Sequence, residues 1–145
     1  MQQKLLDKMA ALSVASRSRL SELAQRDGLT HPPFQLRVLS VVGRFPEQHQ
    51  QALMQKRGWD KGQVARAFKD LERQGLIRRC GDSTPRRITQ VALTAEGQGI
   101  FERLEQIRDE LMATTLSGFS TAEERAFETL MTRALDNIIE APPIE

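Results

Sequence analysis

The chain has 145 residues, 39% hydrophobic and 28% charged, with a formal net charge of +2, a length that suits one core-bearing domain spanning 1–145. No apolar stretch nears the roughly 20 residues that cross a bilayer, and residues 1–12 interleave Gln, Lys and Asp with leucines, so neither a membrane helix nor a secretory signal is expected and the chain reads as cytoplasmic. The single cysteine, Cys80, excludes an internal disulfide, and with only two separated histidines no metal or cofactor is expected.

Taken in order, Leu5, Met9, Leu12, Ser16, Leu20 and Leu23 recur at spacings of three and four, which predicts a long first helix ending near Asp27-Gly28. Thr30 is placed to cap a second helix, with Pro32 and Pro33 in its first turn and Phe34, Val38, Val41 and Phe45 on its buried side. Gly43 and Pro46 mark its end. A short third helix from about 48 to 57 turns Ala52 and Leu53 inward and stops at Gly58, a residue suited to a left-handed position. Asp60 then stands at an N-cap with Gln63 three residues on, the spacing of a capping box, and Val64, Ala67, Phe68 and Leu71 bury one face of a fourth helix until Gly75. Residues 76–81 and 88–93 are short β-type runs around the turn formers Asp82-Ser83-Thr84-Pro85, a hairpin pattern. Thr94 and Glu96-Gly97 open a fifth helix with Ile100, Leu104, Ile107 and Leu111 as its stripe, running to about 116. Ser120 or Thr121 caps a last helix with a broad apolar face of Phe127, Leu130, Met131, Ala134, Leu135 and Ile138, and Pro142-Pro143 ends it.

Charge is unevenly distributed. Residues 56–90 hold ten basic side chains against four acidic, whereas residues 96–145 hold four against eleven, so the middle of the chain alone suits a polyanion. A short helix, a Gly turn, a capped basic helix and an arginine-tipped hairpin make one mechanical unit, a winged helix-turn-helix, mainly α with a small β-hairpin wing. Lys61, Gln63, Arg66 and Lys69 lie opposite or beside the apolar stripe of the fourth helix, where a major groove could receive them. Gln63 and Arg66 can make paired hydrogen bonds to base edges, and the two lysines suit phosphate oxygens. Arg86 and Arg87 at the hairpin tip suit an adjacent minor groove. The lobe so defined covers 30–93. The terminal helices, 1–28 and 100–140, carry apolar faces broader than one small lobe can bury, which points to a homodimer.

Val64-Ala65-Arg66, the run Leu71-Glu72-Arg73-Gln74-Gly75-Leu76-Ile77-Arg78-Arg79, and Arg86-Arg87 leading to Val91-Ala92-Leu93-Thr94-Ala95-Glu96-Gly97 resemble MarR-type (multiple antibiotic resistance) regulators. The resemblance extends over nearly the whole chain. It implies winged-helix subunits dimerised through entwined first and last helices, and repression of nearby genes relieved by small, often aromatic or phenolic, acids. By position, Arg66 resembles a recognition-helix contact, Arg86 the wing residue that enters the minor groove, and Arg87 the second arginine of the family's Asp-x-Arg turn. Pro85 stands where an acidic residue usually precedes that pair, leaving the wing to be held by ring stiffness or by Asp82.

Other candidates weigh less. Cys80, on the first wing strand, reads as a small inward hydrophobe, and Trp59 as a core plug. His31, at the start of the second helix, lies near the effector position that the resemblance implies, and Arg17 on the first helix could meet a carboxylate there; a solvent-facing His and an exposed Arg are the plainer reading. The leading function is a dimeric regulator with two recognition helices in successive major grooves of a pseudo-palindromic duplex. The competing one is a winged-helix interaction module for an acidic protein, which explains the tip arginines less well. With no Gly-rich phosphate loop, nucleophile motif, zinc spacing or tyrosine, no catalytic residues are expected.

Overall fold

The computed structural model describes residues 1–46, 50–80 and 90–144, with Cys80 as backbone only. The elements run α1 (Gln2–Arg26), α2 (Pro33–Arg44), α3 (Gln50–Lys56), α4 (Lys61–Arg73), β1 (Ile77–Cys80), β2 (Gln90–Leu93), α5 (Ala95–Thr115) and α6 (Thr121–Ile139). They form two compact units, Met1–Asp109 and Glu110–Glu145. Among the described residues, no helix is long and apolar enough to cross a membrane.

In the first unit, α2 is the central element and packs against α3, α4 and β2. Its Val38, Leu39 and Val42 are fully buried, as are Met54 of α3, Leu71 of α4 and Ile107 of α5. Phe34 and Phe45, expected inside, are only half-buried; Phe34 lies at the edge of the core, edge to face with Trp59 at 5.4 Å. Thr30 is not the cap of α2. The helix starts at Pro33 with Pro32 at the cap position (φ −54, ψ 138) and no side-chain cap; a proline pushes the residue before it into extended backbone, so the Pro pair itself sets the start and leaves Thr30 and His31 outside.

The third helix also differs from expectation. Ala52 is exposed and Leu53 half-buried, while Gln50 and Met54 face inward. Gln50 is 2% exposed, and its position follows from its hydrogen bonds: the Nε2 amide donates to Phe45 O (3.2 Å) and Val91 O (3.0 Å), and Oε1 accepts from Val91 N (3.2 Å). One side chain thus serves both peptide groups of a β2 residue, as a third strand would.

The sheet is the pair β1–β2, antiparallel, with Ile77 opposite Leu93 and Arg79 opposite Val91. Its start is fixed by the end of α4: Gly75 takes φ +75, Gly75 N donates to Glu72 O (3.0 Å) and Leu76 N to Leu71 O (2.9 Å), the double bond of a left-handed helix stop. Gly58 ends α3 in the same way at φ +76. The hairpin closes through Thr94, whose N donates to Leu76 O (3.0 Å) and whose Oγ1 donates to Gly75 O (2.6 Å) and accepts from Gly97 N (3.1 Å), starting α5. Gly97 sits so close that a Cβ there would overlap the Leu76 carbonyl.

In the second unit Ser120 accepts from Glu123 N and Glu123 returns a bond to Ser120 N, both 3.1 Å, a complete capping box. Phe119 and Phe127 meet edge to face at 6.0 Å. No α6 residue is buried, and Leu130, Met131, Leu135 and Ile138 are exposed; so are Leu5, Leu6, Met9 and Leu12 of α1.

Replacing Gln50 with Leu keeps its bulk but leaves Val91 N–H and C=O without partners, so we expect a loss of about 2 kcal/mol or more, at about 1–3 kcal/mol per stranded group. Urea denaturation measures it; a loss under about 0.5 kcal/mol would mean that Val91 is satisfied without Gln50.

Candidate nucleic-acid interface and the adjoining cavity

α4 is built as a presented helix. Val64, Ala67, Phe68 and Leu71 bury one stripe. The 100° step of the helix then puts Arg66 and Lys69 opposite that stripe and Lys61 and Gln63 on its two flanks. All four are exposed. Asp60 fixes the first turn: its Oδ2 accepts from Gln63 N at 3.0 Å. The expected reciprocal bond from the Gln63 side chain is not made; the cap works in one direction, and the Gln63 amide stays available.

Basic residues here divide into tied and untied. Arg73 pairs with Asp70 (3.8 Å) and Arg79 with Glu72 (2.9 Å), so these two answer charges within the fold. Lys61, Gln63, Arg66 and Lys69 make no side-chain hydrogen bond or ion pair among the described residues. Arg78, exposed on β1, has no partner either and adds a cation that the sequence pattern did not single out. Because α4 and β1 meet at Gly75, Arg78 belongs to the same basic region. Arg86 and Arg87, and the turn that contains Asp82 and Pro85, lie outside the described residues, as does the Cys80 side chain.

The first unit also holds a cavity of about 480 Å³ between α1, α2, the turn after α3 and α5. Its size suits a drug-sized organic molecule. Arg17 and His31 both line it, so the two effector candidates share one space. His31 Nδ1 is buried there without a hydrogen-bond partner. Trp59 is a wall of this cavity rather than a core plug: it is half-exposed, edge to face with Phe34 at 5.4 Å, and Arg57 lies 5.8 Å from its ring centre. Its place follows from Gly58, whose left-handed turn carries residue 59 away from the helix axis.

Sequence pattern missed four further lining arginines, Arg37, Arg44, Arg57 and Arg108, because helical periodicity marks apolar positions and these are long cations that only packing brings to one space. Burial lowers the pKa of Arg37 from its ordinary value, and the nearby Arg17 lowers it further. Burial likewise lowers that of Arg108, with Arg44 and Arg57 adding to the effect against the opposing pull of Glu105. Glu105 pairs with Arg44 at 3.1 Å and lies 3.9 Å from Arg108. Among the described residues no cluster of His, Cys, Asp and Glu could hold a metal ion.

The sequence profile of the MarR family matches residues 27–88. Two relatives from Bacillus subtilis (strain 168) are both named as uncharacterized HTH-type transcriptional regulators. YybA is 30% identical over 54% of this chain and 53% of its own length, and YdgJ is 29% identical over 71% and 63%. The match therefore spans less than two thirds of either relative. A Listeria monocytogenes protein assigned to the MarR family of transcriptional regulators, solved in complex with a 26mer DNA, superposes with a TM-score of 0.80 at 21% identity, over 92% of this chain and 87% of that one. A Staphylococcus aureus MarR in complex with salicylate and kanamycin gives 0.79 at 14% identity, over 97% and 94%. These likenesses establish the fold as that of the MarR winged helix.

Asp60→Ala removes the only side-chain cap of α4, and we expect a loss of about 1 kcal/mol. Amide exchange should quicken at residues 61–64 while the protection of Leu71 follows global stability, a pattern that hydrogen exchange resolves.

Proposed function

We propose that this chain, which carries the MarR-family sequence signature over residues 27–88 and the MarR winged-helix fold, is a cytoplasmic homodimeric DNA-binding regulator that represses nearby genes until a small aromatic acid enters its cavity. The observation that carries the DNA reading is the set of exposed side chains without internal partners, Lys61, Gln63, Arg66 and Lys69, on a capped helix that the rest of the first unit holds rigid. Arg66 and Gln63 read base edges in the major groove, Lys61 and Lys69 meet phosphates, and Arg86 and Arg87 enter the minor groove. The DNA complex of the Listeria relative supports the same use of the fold.

Dimerisation follows from the exposed apolar rows of α1 and α6, which a chain in water covers with a second copy. In this reading residues 1–28 and 100–140 form the dimer and 30–93 the DNA-binding lobe. A single-chain mass in light scattering at micromolar concentration would overturn it. The effector reading rests on the cavity, its arginines and the unpartnered His31 Nδ1; the salicylate complex of the S. aureus protein supports a carboxylic acid in this fold.

Fluorescence anisotropy against the chain's own upstream DNA and a scrambled duplex, across a salt series, tests the function. Specific binding should be tighter by about a thousandfold or more. Arg66→Ala should cost about 1–3 kcal/mol on the specific duplex and little on the scrambled one, while Lys69→Ala weakens both alike and reduces the salt slope by about one. Adding 2-naphthoate should release the specific duplex. Equal binding to both duplexes would reduce α4 to a generic basic surface.

A further inference from the structure

The cavity carries more positive charge than a single acid group needs. Five arginines line it, Arg17, Arg37, Arg44, Arg57 and Arg108, with no carboxylate among the described residues of the lining. Glu105 answers two of them from outside, Arg44 and Arg108, and Asp109 also favours the charge of Arg108. Arg17, Arg37 and Arg57 have no carboxylate partner among the described residues. Arg44 is half-buried and the other four are exposed to water, so solvent softens the mutual repulsion of five neighbouring cations without cancelling it. Aromatic faces relieve some of it: Arg37 lies 5.6 Å from the centre of Phe34 and Arg57 5.8 Å from that of Trp59.

The arginines also fall into two groups. On α2, Arg37, Ser40, Val41 and Arg44 line the cavity at the i, i+3, i+4, i+7 spacing of one helical face, so the two arginines stand about 10 Å apart along the axis, two turns, with small or apolar residues between. Arg17 of α1 lies near enough to Arg37 to lower its pKa, and Arg44 and Arg57 do the same to Arg108. The cavity also has apolar walls, to which Leu20, Leu36, Leu104 and Ile107 contribute.

We infer that the cavity takes a dianion with a rigid apolar body, one acid group held by Arg17 and Arg37 and the other by Arg44, Arg57 and Arg108. This rests on the effector reading of the cavity and narrows it from aromatic acids in general to those with acid groups at both ends. A monoacid answers one arginine group and leaves the other as it was. A second acid group at the far end converts that residual repulsion into charge-assisted hydrogen bonds. His31 Nδ1, buried and without a partner, is a further polar contact for the bound molecule.

Isothermal titration of the full chain, without DNA and at fixed ionic strength, with 2-naphthoate and 2,6-naphthalenedicarboxylate isolates the second carboxylate on one ring system. The dicarboxylate should bind about tenfold tighter or more, about 1.4 kcal/mol. Arg37→Gln and Arg57→Gln remove one member of each group, neither of them in an ion pair, and each should cut that preference to about threefold or less. Circular dichroism confirms folding, and either variant suffices if the other does not fold. Equal affinity for the two acids overturns the dianion inference while leaving the effector reading standing. Binding of neither acid overturns both, and a preference unchanged in both folded variants places the second carboxylate outside these arginines and overturns the inference.

Discussion

The first unit depends on the buried amide of Gln50. A two-stranded hairpin is marginal on its own in water, and β1–β2 holds its place because one edge of β2 is satisfied from α3. Gln50 gives Val91 both a donor and an acceptor, so the hairpin cannot slide against the helices without stranding two peptide groups. The other end is closed by Thr94 on Gly75 and Leu76 and by the contact of Gly97 with the Leu76 carbonyl. Arg79 to Glu72 ties β1 to α4 across the surface, a weaker bond because both side chains are about half exposed to water. Together these contacts make the base of the hairpin an extension of α4, one platform built from both elements.

Against that platform, the basic residues separate by what they face. Arg73 and Arg79 are spent on neighbouring carboxylates. Lys61, Arg66, Lys69 and Arg78 are not, and they lie on the surfaces of α4 and β1 that the apolar core leaves outward. A second set, Arg17, Arg37 and Arg57, has no carboxylate partner among the described residues and lines the cavity instead. Net charge conceals both sets, because the acidic residues that balance them lie mostly after residue 95. Function in such a chain is carried by where compensation is missing, and that is a property of the fold.

The secondary structure was largely legible because punctuation and periodicity agreed. Gly58 and Gly75 ended helices in left-handed backbone, Asp60 and Ser120 capped them, and the stripe of α4 was buried at each of its four expected positions. Illegible parts had a common cause. Gln50 reads as a surface residue because its burial depends on Val91, forty-one positions away, and no local pattern encodes that pairing; Ala52 and Leu53 were preferred inward on hydrophobicity alone. The start of α2 is set by two prolines whose backbone restriction outranks the capping bond that Thr30 offers. The cavity was seen through Arg17 and His31 only. Its other arginines come from α2, the turn after α3 and α5, and only packing brings them together.

α2 joins the two candidate regions. One face buries Val38, Leu39 and Val42 in the core, beside α4. Along the other, Arg37, Ser40, Val41 and Arg44 line the cavity. At its first turn Gln35 donates to Asp70 Oδ2 of α4 at 3.2 Å and accepts from Gln74 at 3.1 Å, and at its last Arg44 meets Glu105 of α5. A molecule that draws on Arg37 and Arg44 therefore acts on the helix against which α4 is set. Packed interiors transmit such displacement rather than absorb it. Linkage sets the limit: the cavity ligand can weaken DNA binding only by the difference in its own affinity for the DNA-bound and free arrangements of α2 and α4. On the proposed reading, arginines whose repulsion a ligand relieves in one arrangement more than in the other would supply such a difference, and the same charge would then give the cavity both its selectivity and its coupling to α4.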